Sequence, residues 1–237
     1  MLKIKLNEMV HVKEMAEITV MGIATQSNEL TIEFTFSKEA LLGFAVNLLW
    51  LYEDINSEKK THIHIEPLLG IVSGNQALGF FLTPQSPSMI FSLNSVRERG
   101  VMNIDVTNLK KIPIKHKFVQ EFEIKQAASY ESIEEYELGF NNIAQIRILD
   151  ANGKNVVSEN LEIVFNINYR GLKDFATMLL VLANNYESNQ EYPVAHSKFI
   201  ETQYNMGILL TEKSSKLVIK MDNLGCVYNY DICFGNH

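Results

Sequence analysis

From residue 30 to residue 36, apolar and polar side chains alternate. Leu30, Ile32, Phe34 and Phe36 are separated by Thr31, Glu33 and Thr35, the two-residue period of a strand with one face in a core. Ser37 ends the alternation, and its hydroxyl suits the free N–H groups of a first helical turn. The period then changes to steps of three and four, through Leu41, Phe44, Ala45, Leu48, Leu51, Tyr52 and Ile55. A helix is therefore expected to run up to the polar stretch 56–60. Short strands are expected before it at 16–20 and after it at 61–65, 78–83, 89–93 and 101–106.

The same pattern returns further along the chain. At an offset of 131, Leu30, Ile32 and Phe34 meet Leu161, Ile163 and Phe165, and Ser37 meets Asn168, another capping residue. Without a gap, Leu41, Phe44, Ala45, Leu48 and Leu51 meet Leu172, Phe175, Ala176, Leu179 and Leu182. At an offset of 128, Gly79, Leu82 and Thr83 meet Gly207, Leu210 and Thr211, and Ala16 and Ile18 meet Ala144 and Ile146. At 128, Met89, Ile90 and Phe91 also meet Leu217, Val218 and Ile219, and at 126 Val101, Asn103 and Asp105 meet Val227, Asn229 and Asp231, so a last strand is expected at 227–234. Five such blocks in one order point to an internal duplication. The expected architecture is α+β, with two tandem ββαββββ units, residues 1–112 and 113–237, each laying one helix on a mainly antiparallel sheet. A doubly wound nucleotide fold is not expected, because it places helices between successive parallel strands.

Three local features refine this picture. Pro113 among Lys110, Lys111, Lys115 and Lys117 marks 108–117 as the join, a solvated linker. Asp150, Asn152 and Gly153 form a hairpin-turn signal, since Asn and Gly accept positive φ. Leu42, Val46 and Trp50 add a second apolar side to the first helix, as expected if one unit packs against the other or across a homodimer.

Hydrophobic residues make up 46% of the chain and charged residues 21%, which excludes intrinsic disorder. No apolar run reaches a membrane-spanning length of about 18 residues, and the first residues lack the apolar core of a signal peptide. A cytoplasmic location without membrane association is expected. The net charge of -7 is unevenly placed. Basic and acidic groups balance up to Lys117, so the whole acidic excess lies beyond it. With no basic excess and four arginines, nucleic-acid binding is disfavoured.

Candidate chemistry is sparse. His62 and His64 lie two apart on an expected strand, where both imidazoles share one face and could ligate one metal ion. A third ligand would have to be Glu66, or His196 if the duplicated frame brings it near His64. No second HxH pair exists and Lys59 and Lys60 stand nearby, so a polar sheet face is the simpler reading and no metal or other cofactor is expected. The glycines at 70, 74 and 79 are followed by Phe80, where a phosphate loop would need Lys and Ser or Thr. There is no G-x-S-x-G nucleophile motif, and Cys226 and Cys233 match neither a zinc knuckle nor a redox pair. No catalytic residue is nominated.

The most unusual composition lies at 130–137, where Tyr130, Glu131, Glu134, Glu135, Tyr136 and Glu137 place four carboxylates and two tyrosines within eight residues. Such a segment can face a basic protein, its acids steering the encounter and its tyrosines supplying contact area. The expected role is accordingly a non-enzymatic protein-binding module. Within that class, an acidic immunity or inhibitor protein that neutralises a basic toxin or nuclease fits best. Two other expectations compete with it: a small-molecule or metal-dependent enzyme with its site between the repeats, and a phage or ring assembly component.

Overall fold

The computed structural model describes residues 2–5, 14–55, 62–67, 81–83, 85–93, 121–124, 143–158, 160–198, 207–222 and 224. In chain order the first half contributes β1 (Leu2–Lys5), β2 (Glu14–Met21), β3 (Thr31–Phe36), α1 (Lys38–Ile55), β4 (His62–Ile65), β5 (Phe81–Leu82) and β6 (Ser88–Ser92). Next come β7 (Glu121–Ile124), β8 (Ile143–Leu149), β9 (Glu162–Ile167) and α2 (Tyr169–Asn184). The last strands are β10 (Gln190–Pro193), β11 (Ala195–His196), β12 (Ile208–Leu210) and β13 (Lys216–Met221). The α+β class expected from the periodicity holds. The expected strands at 101–106 and 227–234, the join at 108–117, the glycine loop at 70–79 and both cysteines lie outside the described residues.

Both expected helix caps are in place. The Ser37 hydroxyl accepts the Ala40 N–H at 3.1 Å, and the Asn168 side chain accepts the Gly171 N–H at 2.7 Å. The hairpin turn forms as well. Asp150 accepts the N–H groups of Asn152 and Lys154, both at 2.9 Å, and Gly153 takes a φ of 75°.

Both large sheets contain strands of both halves, and their central strands interleave. One has the order β10-β13-β3-β8-β5, and the other β11-β12-β2-β9-β6-β4. A separate two-stranded sheet pairs β1 with β7. Each sheet mixes directions: β3 lies antiparallel to β8 and parallel to β13, while β9 lies antiparallel to β2 and parallel to β6. The sheets are thus mixed, not mainly antiparallel as expected. The physical reason is the source of the partners. Short connections between successive strands favour antiparallel pairing. The central parallel partners instead come from opposite halves, so a long stretch of chain supplies the crossover.

The two sheets share one plan down to the residue. An offset of 131 carries β3 onto β9, and 128 carries β8 back onto β2. Thr31 faces Leu149 in one sheet, and Glu162 faces Met21 in the other, the positions that these offsets require. The parallel pairs Leu217 with Ile32 and Met89 with Ile163 obey the same rule. The sequence pattern did not reveal β10, the counterpart of β4. Its four residues hold one buried apolar side chain, Tyr192, and end in Pro193, which leaves too little alternation to read.

The core lies where the inward sheet faces meet the helices. Ala16, Ile18, Phe165 and Ile167 point inward from one sheet, and Ile32, Phe34, Ile146 and Ile219 from the other. α1 and α2 pack on each other. α1 also packs on β3 and β8, and α2 on β2 and β12. Every residue from Phe175 to Ala183 is buried, more than two turns, so α2 is enclosed on all sides. At the ends of the pair, the Tyr52 ring stacks on Tyr169 at 4.0 Å, with the Lys173 ammonium 5.8 Å from the Tyr52 centroid. No helix among the described residues is long and apolar enough to cross a membrane.

Candidate functional site

The outward faces of the two sheets share a frame and differ in chemistry. On the five-stranded sheet, Glu33 sits in mid-strand with its side chain 4% exposed. One carboxylate oxygen accepts from Arg147 Nε at 2.8 Å and is also paired with Arg147 Nη2, while the other lies 2.5 Å from Lys220 Nζ. Lys220 also reaches Glu191 at 2.6 Å. The four charges form a ladder across β10, β13, β3 and β8, and the long basic stems shield the Glu33 carboxylate from water. Burial alone would lower the Lys220 ammonium, but hydrogen bonds to Glu191 and Glu33 overcome it and hold the group above its ordinary value.

The matching positions on the six-stranded sheet are Val164, Thr19, Ser92 and His62, none of which repeats the ladder. Here His62 and His64 stand exposed on β4, their ring centroids 5.1 Å apart. His196 lies on β11, at the opposite edge of the same sheet, five strand steps or about 24 Å away along it. The structure therefore does not bring the three histidines together. The register sets His196 against Pro67, not against His64: His196 pairs with Leu210 as Pro67 bridges Leu82. Among the described residues no group of three His, Cys, Asp or Glu could hold a metal ion. Tyr130, Glu131, Glu134, Glu135, Tyr136 and Glu137 lie outside the described residues, in the chain between β7 and β8.

A pair of buried hydroxyl crooks was not foreseen. Where β12 ends, the Thr211 N–H donates to the Ala16 carbonyl at 3.0 Å. The chain then turns away, and the Ser214 hydroxyl accepts the Ile18 N–H at 3.1 Å. The crook thus continues the ladder along β2 with a side chain in place of backbone. Thr211 and Ser214 share a 3.0 Å hydrogen bond, and the Thr211 hydroxyl also reaches Glu17 at 3.4 Å. With the Thr211 proton directed at the carboxylate, Ser214 donates to Thr211.

The other sheet repeats the device. The Thr83 N–H donates to the Ala144 carbonyl at 2.9 Å, the Ser86 hydroxyl accepts the Ile146 N–H at 2.9 Å, and the two hydroxyls lie 3.0 Å apart. A Thr-x-x-Ser pattern at 83–86 and 211–214, at the offset of 128, is the signal that could have found it. Ser214→Ala and Ser86→Ala each leave a buried strand N–H without its acceptor. Each is expected to cost about 1–3 kcal/mol, read as a shift in the denaturation midpoint at unchanged slope.

The crooks differ in what covers them. Pro67 pairs beside the first. Beside the second, His196 is 1% exposed and uses both ring nitrogens. Nδ1 accepts the Lys198 N–H at 3.1 Å, so the proton sits on Nε2, which donates to the Ser214 carbonyl at 3.1 Å. Burial is the largest influence on this imidazole and pushes its pKa below the ordinary value. The nearby Lys216 and Lys198 act in the same direction, while the Ser214 carbonyl and Glu212 oppose it. Next to it, the Ser197 hydroxyl is buried without a partner among the described residues.

Comparison with protein-family models, with curated proteins and with solved structures finds no match to this chain.

Proposed function

We propose that the protein is a non-enzymatic binding module that takes a basic protein as its partner, in the manner of an immunity or inhibitor protein that masks a toxin or nuclease. Its frame is two homologous ββαββββ copies, residues 1–112 and 113–237, whose strands have exchanged between two sheets. The duplication is supported by the shared register rule, the paired helix caps at Ser37 and Asn168, and the paired crooks.

The observation that carries the binding role is charge segregation. The whole acidic excess lies beyond Lys117, and its densest run is the Tyr- and Glu-rich segment 130–137. The twin frame accounts for the inward faces, which serve one core, but it does not account for this one-sided charge. An acidic surface speeds association with a basic partner and selects against acidic ones.

The test is capture of the partner from the source cell with the full chain as bait, followed by titration of the purified pair. The expected partner is basic, with affinity that weakens steeply as salt rises. A variant carrying Glu131→Gln, Glu134→Gln, Glu135→Gln and Glu137→Gln is expected to lose tenfold or more in affinity. An acidic partner, or a tight pair indifferent to both salt and the four substitutions, overturns the reading.

A further inference from the structure

We infer that His196 is an acid-sensitive latch, which holds β11 and the turn after it against the second crook while neutral and releases them when protonated. The inference is independent of the partner proposed above. It rests on three geometric facts: the ring is buried, both of its nitrogens are engaged, and one of them must be an acceptor. A second proton has only Nδ1 to go to, and there it would point at the Lys198 N–H. Two donors would then face each other across 3.1 Å, one of them on a ring that is almost wholly buried.

The surroundings sharpen the conflict. The groups facing the ring are Lys198 from its own turn, Lys216 from β13, and Glu212 and the Ser214 carbonyl from the crook. Among the described residues, two cations and one carboxylate meet the new charge. The hold being released is short. β11 joins the sheet through two residues, and the Ser197 N–H to the Leu210 carbonyl at 2.8 Å is the next bond beyond them. Opening at low pH would leave the edge of β12 available for pairing.

The first crook supplies an internal control. It shares the Thr N–H, Ser hydroxyl and Thr–Ser hydrogen bonds of the second, but Pro67 stands where His196 stands and has nothing to titrate. The sign follows from linkage. The opened segment takes up a proton near the ordinary histidine value of 6.5, whereas the closed one resists it. The closed state is therefore fully favoured above that pH. It loses ground as pH falls below it, about tenfold in the opening constant per unit, until the closed form also protonates.

Amide hydrogen exchange on the intact protein between pH 7.5 and 5.5, corrected for intrinsic rates, tests this. Protection of the Ser197 and Lys198 amides is expected to drop about tenfold between pH 7.5 and 5.5. The Thr83 and Ser86 amides should hold steady, and His196→Gln should flatten the response. Flat protection at Ser197 and Lys198 overturns the latch, as does an equal loss at the first crook or an unchanged response in His196→Gln. Should that variant fail to fold, ring nitrogen shifts of His196 in the wild-type protein decide. Loss of Lys198 protection must track protonation of Nδ1, and a protonated ring with that amide still protected overturns the proposal.

Discussion

Phe44→Ala is expected to destabilise the protein by about 3–5 kcal/mol, one of the two largest single-residue effects argued for this fold. The ring is buried on α1 and touches aromatic neighbours from every layer. Phe36 and Phe34 lie 5.5 and 6.3 Å away on the five-stranded sheet, Phe91 5.7 Å away on the six-stranded sheet, and Phe175 6.3 Å away on α2. Truncation opens a cavity whose walls belong to separate elements, so no single one can shift to fill it. Phe175 is the matching residue on α2, with Phe165 at 5.2 Å and Phe91 at 6.4 Å, and Phe175→Ala should cost a similar amount. The double variant should cost less than the two losses added, because each single change already removes their mutual contact. Leu42, only partly buried at the rim of the core, is the control and should cost less than half as much when cut to Ala. Chemical denaturation of the four variants measures this. A Phe44→Ala cost below about 1 kcal/mol would mean that the two sheets do not meet through this ring.

The centrality of Phe44 was partly legible before any coordinates. Its three- and four-residue spacing from Leu41 and Leu48 placed it on an apolar face, and the offset of 131 tied it to Phe175. The helices, their caps and the central strands all follow from such short-range patterns, because period and capping chemistry are local properties. Strand partners are not. Nothing in the alternation of Leu217 and Ile219 says that they run parallel to Ile32 and Phe34, some 185 residues earlier in the chain. A strand's partner is chosen by packing of the whole molecule, and this is why both sheets came out mixed.

The candidate site was less legible for the same reason. Glu33 reads as a solvent-facing position of a half-buried strand, and it does lie on the outward face. It is buried there because Arg147 and Lys220, distant in sequence, fold their stems across it. His196 gave no local sign of burial, since its neighbours Ala195 and Ser197 fit a loop as well as a short strand. The Thr-x-x-Ser crooks were present in the aligned blocks as spacing. Their role depends on strands β2 and β8 lying alongside, which spacing does not encode.

Three glycines at positive φ give the second large effect and separate two causes that usually come mixed. Gly153, at φ 75°, has open space where a Cβ would stand, so Gly153→Ala should cost only the backbone term, about 1–2 kcal/mol. Gly207, at φ 87°, would place a Cβ 2.6 Å from Met178 Sδ, the flexible part of a side chain that can move aside at some cost in packing. Gly22, at φ 80°, would place it 2.0 Å from the backbone oxygen of Asn160. Backbone at that point cannot yield cheaply, because the β2–β9 ladder closes beside it with Met21 opposite Glu162. Gly22→Ala must therefore bear the conformational term together with strain of about 1–3 kcal/mol from forced displacement, roughly 2–5 kcal/mol in all. The expected order of cost is Gly153→Ala, then Gly207→Ala, then Gly22→Ala, read from denaturation midpoints at constant slope. Equal costs at all three would show that φ alone decides, and that the approach of Asn160 to Gly22 does not constrain the end of the central ladder.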